Sequence, residues 1–448
     1  MTIPFIKRSL GLFWGLQLAG IMSVAINPIM PLLLAVVLSG VVFLLFFQQP
    51  LLIILANEGF VKRTLQAWFP IFESVDPIIV LVILIVFTLV LRLRAPAVRR
   101  HLASQQTVVL AYLIWVVWML VASTYAPNVE WALDKSLRFA LYNSILFLGP
   151  MILIHTRRES RIMLTFYLLY GFCVALLVYS QLWFLFGVDP AIGSTTRFTV
   201  LSANPIGVAR VLAICAAIAS IMIISGKASK PWLWSIALVF FAAALVLTGS
   251  RGPALSFLVA TVILGMFIGK AARRRTLLII ASILGIAGLI LLIVPEGVSY
   301  RYRLLLTTPL TVTKQGIRPF SSILHRLQMW GMALALWTQD IRHFIVGDGT
   351  AGFAKLFPWR DYSYPHNLPF EILAEYGVLG ASIFSLHFIE GAKRVLKHVR
   401  NRFKFEELMW LTGLVTFFIS TLMSGDLDHN RFFWFFIGGL VSTCSIKD

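Results

Sequence analysis

Apolar runs of about 17–25 residues recur along the chain, each long enough, at roughly 1.5 Å of helix rise per residue, to cross about 30 Å of hydrocarbon. The pattern predicts twelve membrane spans, at 28–50, 77–93, 107–124, 139–155, 162–186, 206–225, 231–248, 253–269, 276–295, 377–392, 407–424 and 431–446. An earlier apolar stretch, 9–26, is followed by Asn27-Pro28 and preceded by Lys7 and Arg8, and it reads as an interfacial or re-entrant element. Residues 296–376 interrupt the apolar runs. Within them SSILHRLQMWGMALALWTQD has helical periodicity, with Leu324, Leu327, Trp330, Met332, Leu334 and Leu336 largely to one side. Short helices on or dipping into the membrane surface are expected there. The chain thus divides into membrane helices over 1–295, a large loop over 296–376 and further membrane helices over 377–448.

Composition agrees with a membrane solvent: 59% of the 448 residues are hydrophobic and only 13% charged. The net charge of +19 could point to nucleic acid, but the basic residues are scattered over short loops without the broad basic face that duplex binding needs. The loops 92–100, 155–161, 226–230, 270–275 and 393–404 together hold 19 Lys and Arg and a single acid, Glu159, which assigns them to the cytoplasm. They alternate correctly with the twelve spans, so 187–205, 249–252, 296–376 and 425–430 face the opposite side, the periplasm of a bacterial inner membrane. Cys173, Cys215 and Cys444 lie in apolar segments without metal-ligand spacing and read as packing residues.

Charge near hydrocarbon is costly, so ionisable residues at span ends on the side that should lack basic residues are functional candidates. Arg197, Arg210, Arg251, Arg318 and Arg326 fall there, together with His366 and the turn containing Asp426, Asp428, His429 and Arg431. Guanidinium forks match phosphate oxygens and keep their charge, so an arginine-rich face beside apolar helices suits an anionic amphiphile such as a lipid diphosphate. A single arginine at such a place is equally a snorkelling anchor for headgroups. His366 stands between Pro365 and Pro369, just before helical periodicity begins at Phe370. An imidazole at a helix start at the membrane surface suits proton transfer, although such a histidine is more often a structural hydrogen-bonding residue.

The run His366-Asn367-Leu368-Pro369, continuing as Glu371-Ile372-Leu373-Ala374-Glu375-Tyr376-Gly377 to Gly380, resembles the signature loop-to-helix of the bacterial O-antigen ligase and polymerase superfamily. Two further pieces follow the family order: Leu247-Thr248-Gly249-Ser250-Arg251-Gly252, and Arg326 with Trp330 leading to Gly347-Asp348-Gly349 and Phe353. The resemblance covers roughly 190–430. It implies an all-α integral membrane glycosyltransferase of the GT-C type, independent of metal ions and of any cofactor. The implied partners are an undecaprenyl-diphosphate-linked O-antigen donor, a lipid A-core acceptor and the surrounding membrane lipids. Carried over by position, His366 corresponds to the histidine implicated in catalysis and Arg251 to the span-end arginine. Asp426 corresponds to the acid of the last outer turn, Arg326 to the arginine that begins the loop helix, and Arg197 to an upstream arginine on the same side. Arg210 and Arg318 join the substrate-binding candidates on chemistry alone.

Within the superfamily the same donor is joined to lipid A-core, to another lipid-linked repeat or to a protein. The absence of an added soluble domain argues against the last, and overall resemblance favours the ligase over the polymerase. A lipid or ion transporter would place ionisable residues near the bilayer midplane and commonly carries matching broken spans in two halves. Neither feature is visible.

Overall fold

A computed structural model describes residues 48–59, 62, 66, 76–180, 204–268, 270–293, 322–357, 363–399 and 403–446. The described residues are helical with connecting turns and contain no strand. In chain order the helices are α1 (Gln48–Ala56), α2 (Pro77–Leu93), α3 (Pro96–Ala103), α4 (Gln106–Ser123) and α5 (Val129–Arg138). A π turn, Phe139–Asn143, joins α5 to α6 (Ser144–Leu153), and α7 (Arg157–Ser180), α8 (Pro205–Ser225) and α9 (Pro231–Leu247) follow. Then come α10 (Arg251–Ile268), α11 (Lys270–Ile293), α12 (Ser322–Trp337), α13 (Ile341–Val346), α14 (Leu368–Val399), α15 (Phe405–Thr421) and α16 (Arg431–Cys444).

Among the described residues, six helical stretches are long and apolar enough to cross a membrane: α4, α5 through α6, α7, α8, α10 and α14. A seventh is added if α2 and α3, which meet at 95°, form one broken span. The chain is therefore a multi-pass membrane protein. Over its described residues each predicted span from 77 onward falls largely on helix; 28–50 lies almost wholly outside the described residues, and the 9–26 element wholly so. Two starts differ most from the expected ones. The span expected at 139–155 begins at Val129, and that expected at 377–392 begins at Leu368 and is interrupted at Gly377, where φ is 60° and ψ −166°. Polarity hid the first start, since Lys135 reads as a loop residue, and it set the second span late although helical periodicity begins at Phe370; Lys135, Glu371 and Glu375 are buried against one another.

Helix α8 is the central pillar, packed by α9, α10, α15, α7 and α11. Its run of small residues, Ala209, Ala213, Ala216, Ala217 and Ala219, is buried and permits the close approach on which helix association in lipid depends. The second pillar is α16, whose residues from Arg431 to Cys444 are all buried. A Cβ on its Gly438 would lie 2.2 Å from the carbonyl oxygen of Phe147 in α6, so only glycine allows that contact.

The five basic loops gather at one end of the bundle. Arg157 pairs with Glu407 at 2.7 Å, Arg161 with Glu406, and Arg92 with Glu159 at 3.6 Å. Trp234 at the start of α9 reaches Phe405, and Arg275 donates to the carbonyl of Ile224. The residues around 204–210, 249–253, 363–371 and 420–431 meet at the other end.

In the large loop, the helical expectation over 322–337 is met by α12, and α13 with a 3-10 turn (Gly352–Leu356) follows it. The expected apolar stripe needs correction. Met329, Ala333 and Leu336 are the buried face, packed with Phe353 and Ala374, whereas Leu327 and Leu334 point outward. A helix at a membrane surface can be apolar on two sides, one covered by protein and one by lipid. The Gly347-Asp348-Gly349 turn then hooks onto α14: the amides of Asp348 and Gly349 donate to the carbonyls of Ala374 and Glu375, at 3.0 and 2.9 Å, just before the Gly377 break.

Beneath that hook, Lys135 Nζ donates to Glu371 Oε1 at 2.6 Å and to Glu375 Oε2 at 2.8 Å, with all three side chains almost inaccessible. Removing the cation leaves two buried carboxylates uncompensated, which destabilises by about 3–5 kcal/mol. Lys135→Met is therefore expected to lower the thermal unfolding temperature in detergent sharply. The triple change Lys135→Met, Glu371→Gln, Glu375→Gln should recover much of that loss, and equal losses in the two variants would show that pairing is not the cause.

Candidate active site

Helix α14 opens with a constrained turn. His366 has φ 59°, a left-handed conformation that a non-glycine residue adopts only when its surroundings impose it, at a cost of the order of 1–3 kcal/mol. The imposing contacts come from Asn367. Its Oδ1 accepts the Phe370 amide at 3.1 Å, capping α14, while its Nδ2 donates to the carbonyl of Leu422 at 2.9 Å and ties the helix start to the end of α15. The His366 ring lies 4.3 Å from the Tyr364 ring and 6.2 Å from the His325 ring, centroid to centroid. Burial pushes the Tyr364 hydroxyl up to about 12, so it remains a neutral hydrogen-bonding group.

Opposite lies the 422–430 turn. Both carboxylate oxygens of Glu371 accept the Leu427 amide, at 3.0 and 3.2 Å, so the ion cluster also anchors this turn. Arg138 donates to Asp428 at 3.0 Å, and Asn143, presented by the π turn, donates to the Asp428 carbonyl at 3.0 Å. Arg210 reaches across from α8 to Ser420 Oγ at 3.0 Å, Asn430 Oδ1 at 3.2 Å and the Ser424 carbonyl. Gly425, with φ 84°, lies against that guanidinium: a Cβ there would fall 2.9 Å from Arg210 Nη2 and 2.5 Å from Asn430 Oδ1.

Two depressions lie at this end of the bundle, and His366 itself lines neither. A cavity of about 440 Å³ is lined by Glu58, Asn204, Arg210, Tyr364, Asp426 and His429 among others. A narrow cleft of about 40 Å³ holds Arg251 and Arg326 with Ser250, Ser420 and Ser424. They share Ile206 and Ser424, so the cleft and the cavity adjoin. His366 is linked to the cavity by Tyr364 and to the cleft by His325, the neighbour of Arg326.

The structure thus brings Arg210, Arg251, Arg326, His366 and Asp426 to one end of the bundle; Arg197 and Arg318 lie outside the described residues. Sequence reasoning did not select Tyr364, Glu58 or Lys135. Tyr364 carried a signal, since it stands two residues before His366 in the Pro-flanked turn, whereas Glu58 and Lys135 lie far upstream and reach the site only by tertiary packing. Among the described residues no group of three His, Cys, Asp or Glu side chains is arranged to hold a metal ion.

Residues 236–385 match the family model described as O-Antigen ligase, a segment that contains Arg251 and Arg326, the hooked loop and the His366 turn. About a third of the chain is thus similar to that family, which supports membership of the O-antigen ligase superfamily. No curated protein matches the chain. The superfamily segment ends inside α14, so Asp426 and its turn lie beyond the matched residues and join the site through Asn367 and Glu371.

Within the turn the charges are unequal. Burial alone would raise the Asp426 carboxyl, but the charge and hydrogen bonds of His429, with Nδ1 at 2.8 Å, hold it below its ordinary value. Asp426 in turn pushes the His429 imidazole up to about 9, so the two form an ion pair at neutral pH. Asp428 is raised, by burial first and by Asp426 second. Because folding raises the His429 value, its stabilisation is complete below its ordinary pKa of about 6.5 and is lost as pH rises through about 9. Thermal unfolding of the parent protein should show this loss over that window, and His429→Gln should not. Parallel curves for the two proteins would mean that Asp426 does not hold the proton there.

Proposed function

We propose that the chain is an O-antigen ligase that transfers glycan from an undecaprenyl-diphosphate-linked donor to lipid A-core at the periplasmic face of the inner membrane. On this reading the bundle has twelve spans in a GT-C-type arrangement, with the basic loops in the cytoplasm and the 296–376 loop outside. The carrying observation is the convergence of His366, Arg251, Arg326, Arg210 and Asp426, drawn from distant parts of the chain, around two adjoining depressions at the bundle end opposite the basic loops.

An acceptor sugar hydroxyl attacks the anomeric carbon of the donor. The bond from that carbon to the diphosphate oxygen breaks, and the electron pair leaves with the diphosphate. His366 takes the hydroxyl proton as general base, and direct displacement inverts the anomeric carbon. Arg251 and Arg326, facing one narrow cleft, receive the charge that grows on the leaving group, a role that preorganised cations fill well in a site shielded from water. Arg197 and Arg318 are further candidates for the same diphosphate. Arg210 lines the cavity while its bonds to Ser420, Ser424 and Asn430 hold the outer turn, and Asp426 orients His429 at the cavity wall. The cavity, with its carboxylates, amide and phenol, offers the mixed donors and acceptors that a sugar requires.

The test is glycan transfer by the purified protein with chelator throughout, offering lipid A-core in one reaction and only lipid-linked donor in another. Product on lipid A-core is expected, reduced by 10²-fold or more in His366→Ala. Elongated donor in place of that product would make the enzyme a polymerase, and transfer unaffected by the substitution would remove His366 from the chemistry.

A further inference from the structure

Helices α14 and α15 are consecutive and are tied together at their site end by the Asn367–Leu422 hydrogen bond, yet below it they lean on α16 rather than on each other. Phe388 of α14 and Phe418 of α15 both pack on Phe433 of α16, with ring centroids 5.3 and 6.1 Å away, and stand 6.4 Å from one another. Along this face of α14, with Phe418 of α15 across from it, runs an apolar groove of about 350 Å³. Its site end is formed by Leu368 and Pro369, two and three residues beyond His366, and its walls by Leu373, Phe384, Phe388 and Phe418. The groove crosses the Gly377 break in α14, where the helix changes direction. From Gly377 to Phe388 an α-helix rises about 16 Å, roughly half the thickness of a bilayer's hydrocarbon.

We propose that this groove binds the proximal part of the isoprenoid tail of the lipid-linked donor. The proposal rests on the function proposed above and names the part of the protein that guides the tail. Whatever sugar is transferred, its anomeric carbon must lie at His366, and the tail begins only a diphosphate away. It must therefore enter hydrocarbon close to the start of α14, and this groove opens there. A groove walled almost wholly by α14, with Phe418 of α15 across it, suits one chain laid along the helix, whereas a lipid A anchor with several acyl chains needs a broad face. Surrounding lipid is as apolar as the groove, so little binding comes from dehydration; packing along the walls orients the tail and delivers the diphosphate to the arginine cleft.

Ala381 and Ser385 border the groove, and Trp at either position fills it without entering the polar site. In nanodiscs, Ala381→Trp and Ser385→Trp should raise KM about fivefold for a donor with a long polyprenyl tail and leave kcat near the parent value, a modest effect because only packing is lost. A donor carrying the same glycan diphosphate on a two-isoprene tail should be used equally by parent and variants. Equal slowing with both donors, or no change with either, overturns the proposal. Separately, a long polyprenyl diphosphate bearing a tail diazirine and no glycan should label peptides covering 381–388 or Phe418. An excess of unlabelled polyprenyl diphosphate should remove that label, and an excess of phospholipid should not. Labelling confined to other helices, or competition by phospholipid alone, overturns the proposal. This arm needs no transfer, so it decides the groove's role even if the parent protein transfers glycan to neither acceptor.

Discussion

The geometry of the site depends on one buried charge. Lys135 bridges Glu371 and Glu375, and Glu371 also accepts the Leu427 amide, so a single cluster joins α5, the first turns of α14 and the turn that carries Asp426. In surroundings poor in water these groups have no cheap alternative partners, and the three segments cannot separate without exposing charge to an apolar medium. His366 and Asp426, sixty residues apart in sequence, are thereby held at the same end of the bundle. The Asn367–Leu422 and Arg138–Asp428 bonds reinforce that relation without replacing the cluster.

Around this clamp the backbone is held in conformations that only particular residues permit. Gly347 and Gly377 meet where the loop hook crosses the break in α14, and a Cβ on Gly377 would lie 2.4 Å from the Ile345 carbonyl oxygen. The left-handed His366 is the non-glycine exception at the site, and its position between a proline and a capping asparagine explains how the strain is sustained. The bundle beneath supplies a rigid base: small residues in α8 and paired glycines in α16 let helices approach closely where lipid gives no hydrophobic reward for association.

Much of the candidate site was legible because the bilayer makes misplaced charge expensive. Arg210, Arg251, Arg326 and Asp426 attracted notice as charges at span ends away from the basic loops, and His366 by its flanking prolines. The same logic failed for Lys135, and for Glu371 and Glu375 it gave the helix and the motif but not their burial against that lysine. Polar residues at the rim of an apolar run look like loop, and nothing local distinguishes a solvated charge from one neutralised by a partner some 240 positions away. The stripe on α12 failed for a related reason: leucines on two faces are indistinguishable in sequence when protein covers one face and lipid the other.

Hydrophobic run length and the placement of lysine and arginine were sufficient, by themselves, to give an all-helical membrane protein with its basic loops segregated, because the hydrocarbon imposes both patterns residue by residue. The motif around His366 was equally local, since its prolines, capping asparagine and following apolar period act within a few residues. Which arginines share a cleft, which carboxylates are neutralised, how Glu58 reaches the site and where a groove opens between α14 and α15 were decided only by tertiary structure. Those properties depend on distances between helices, and helix packing in lipid is set by shape and by buried partners that no stretch of sequence contains on its own.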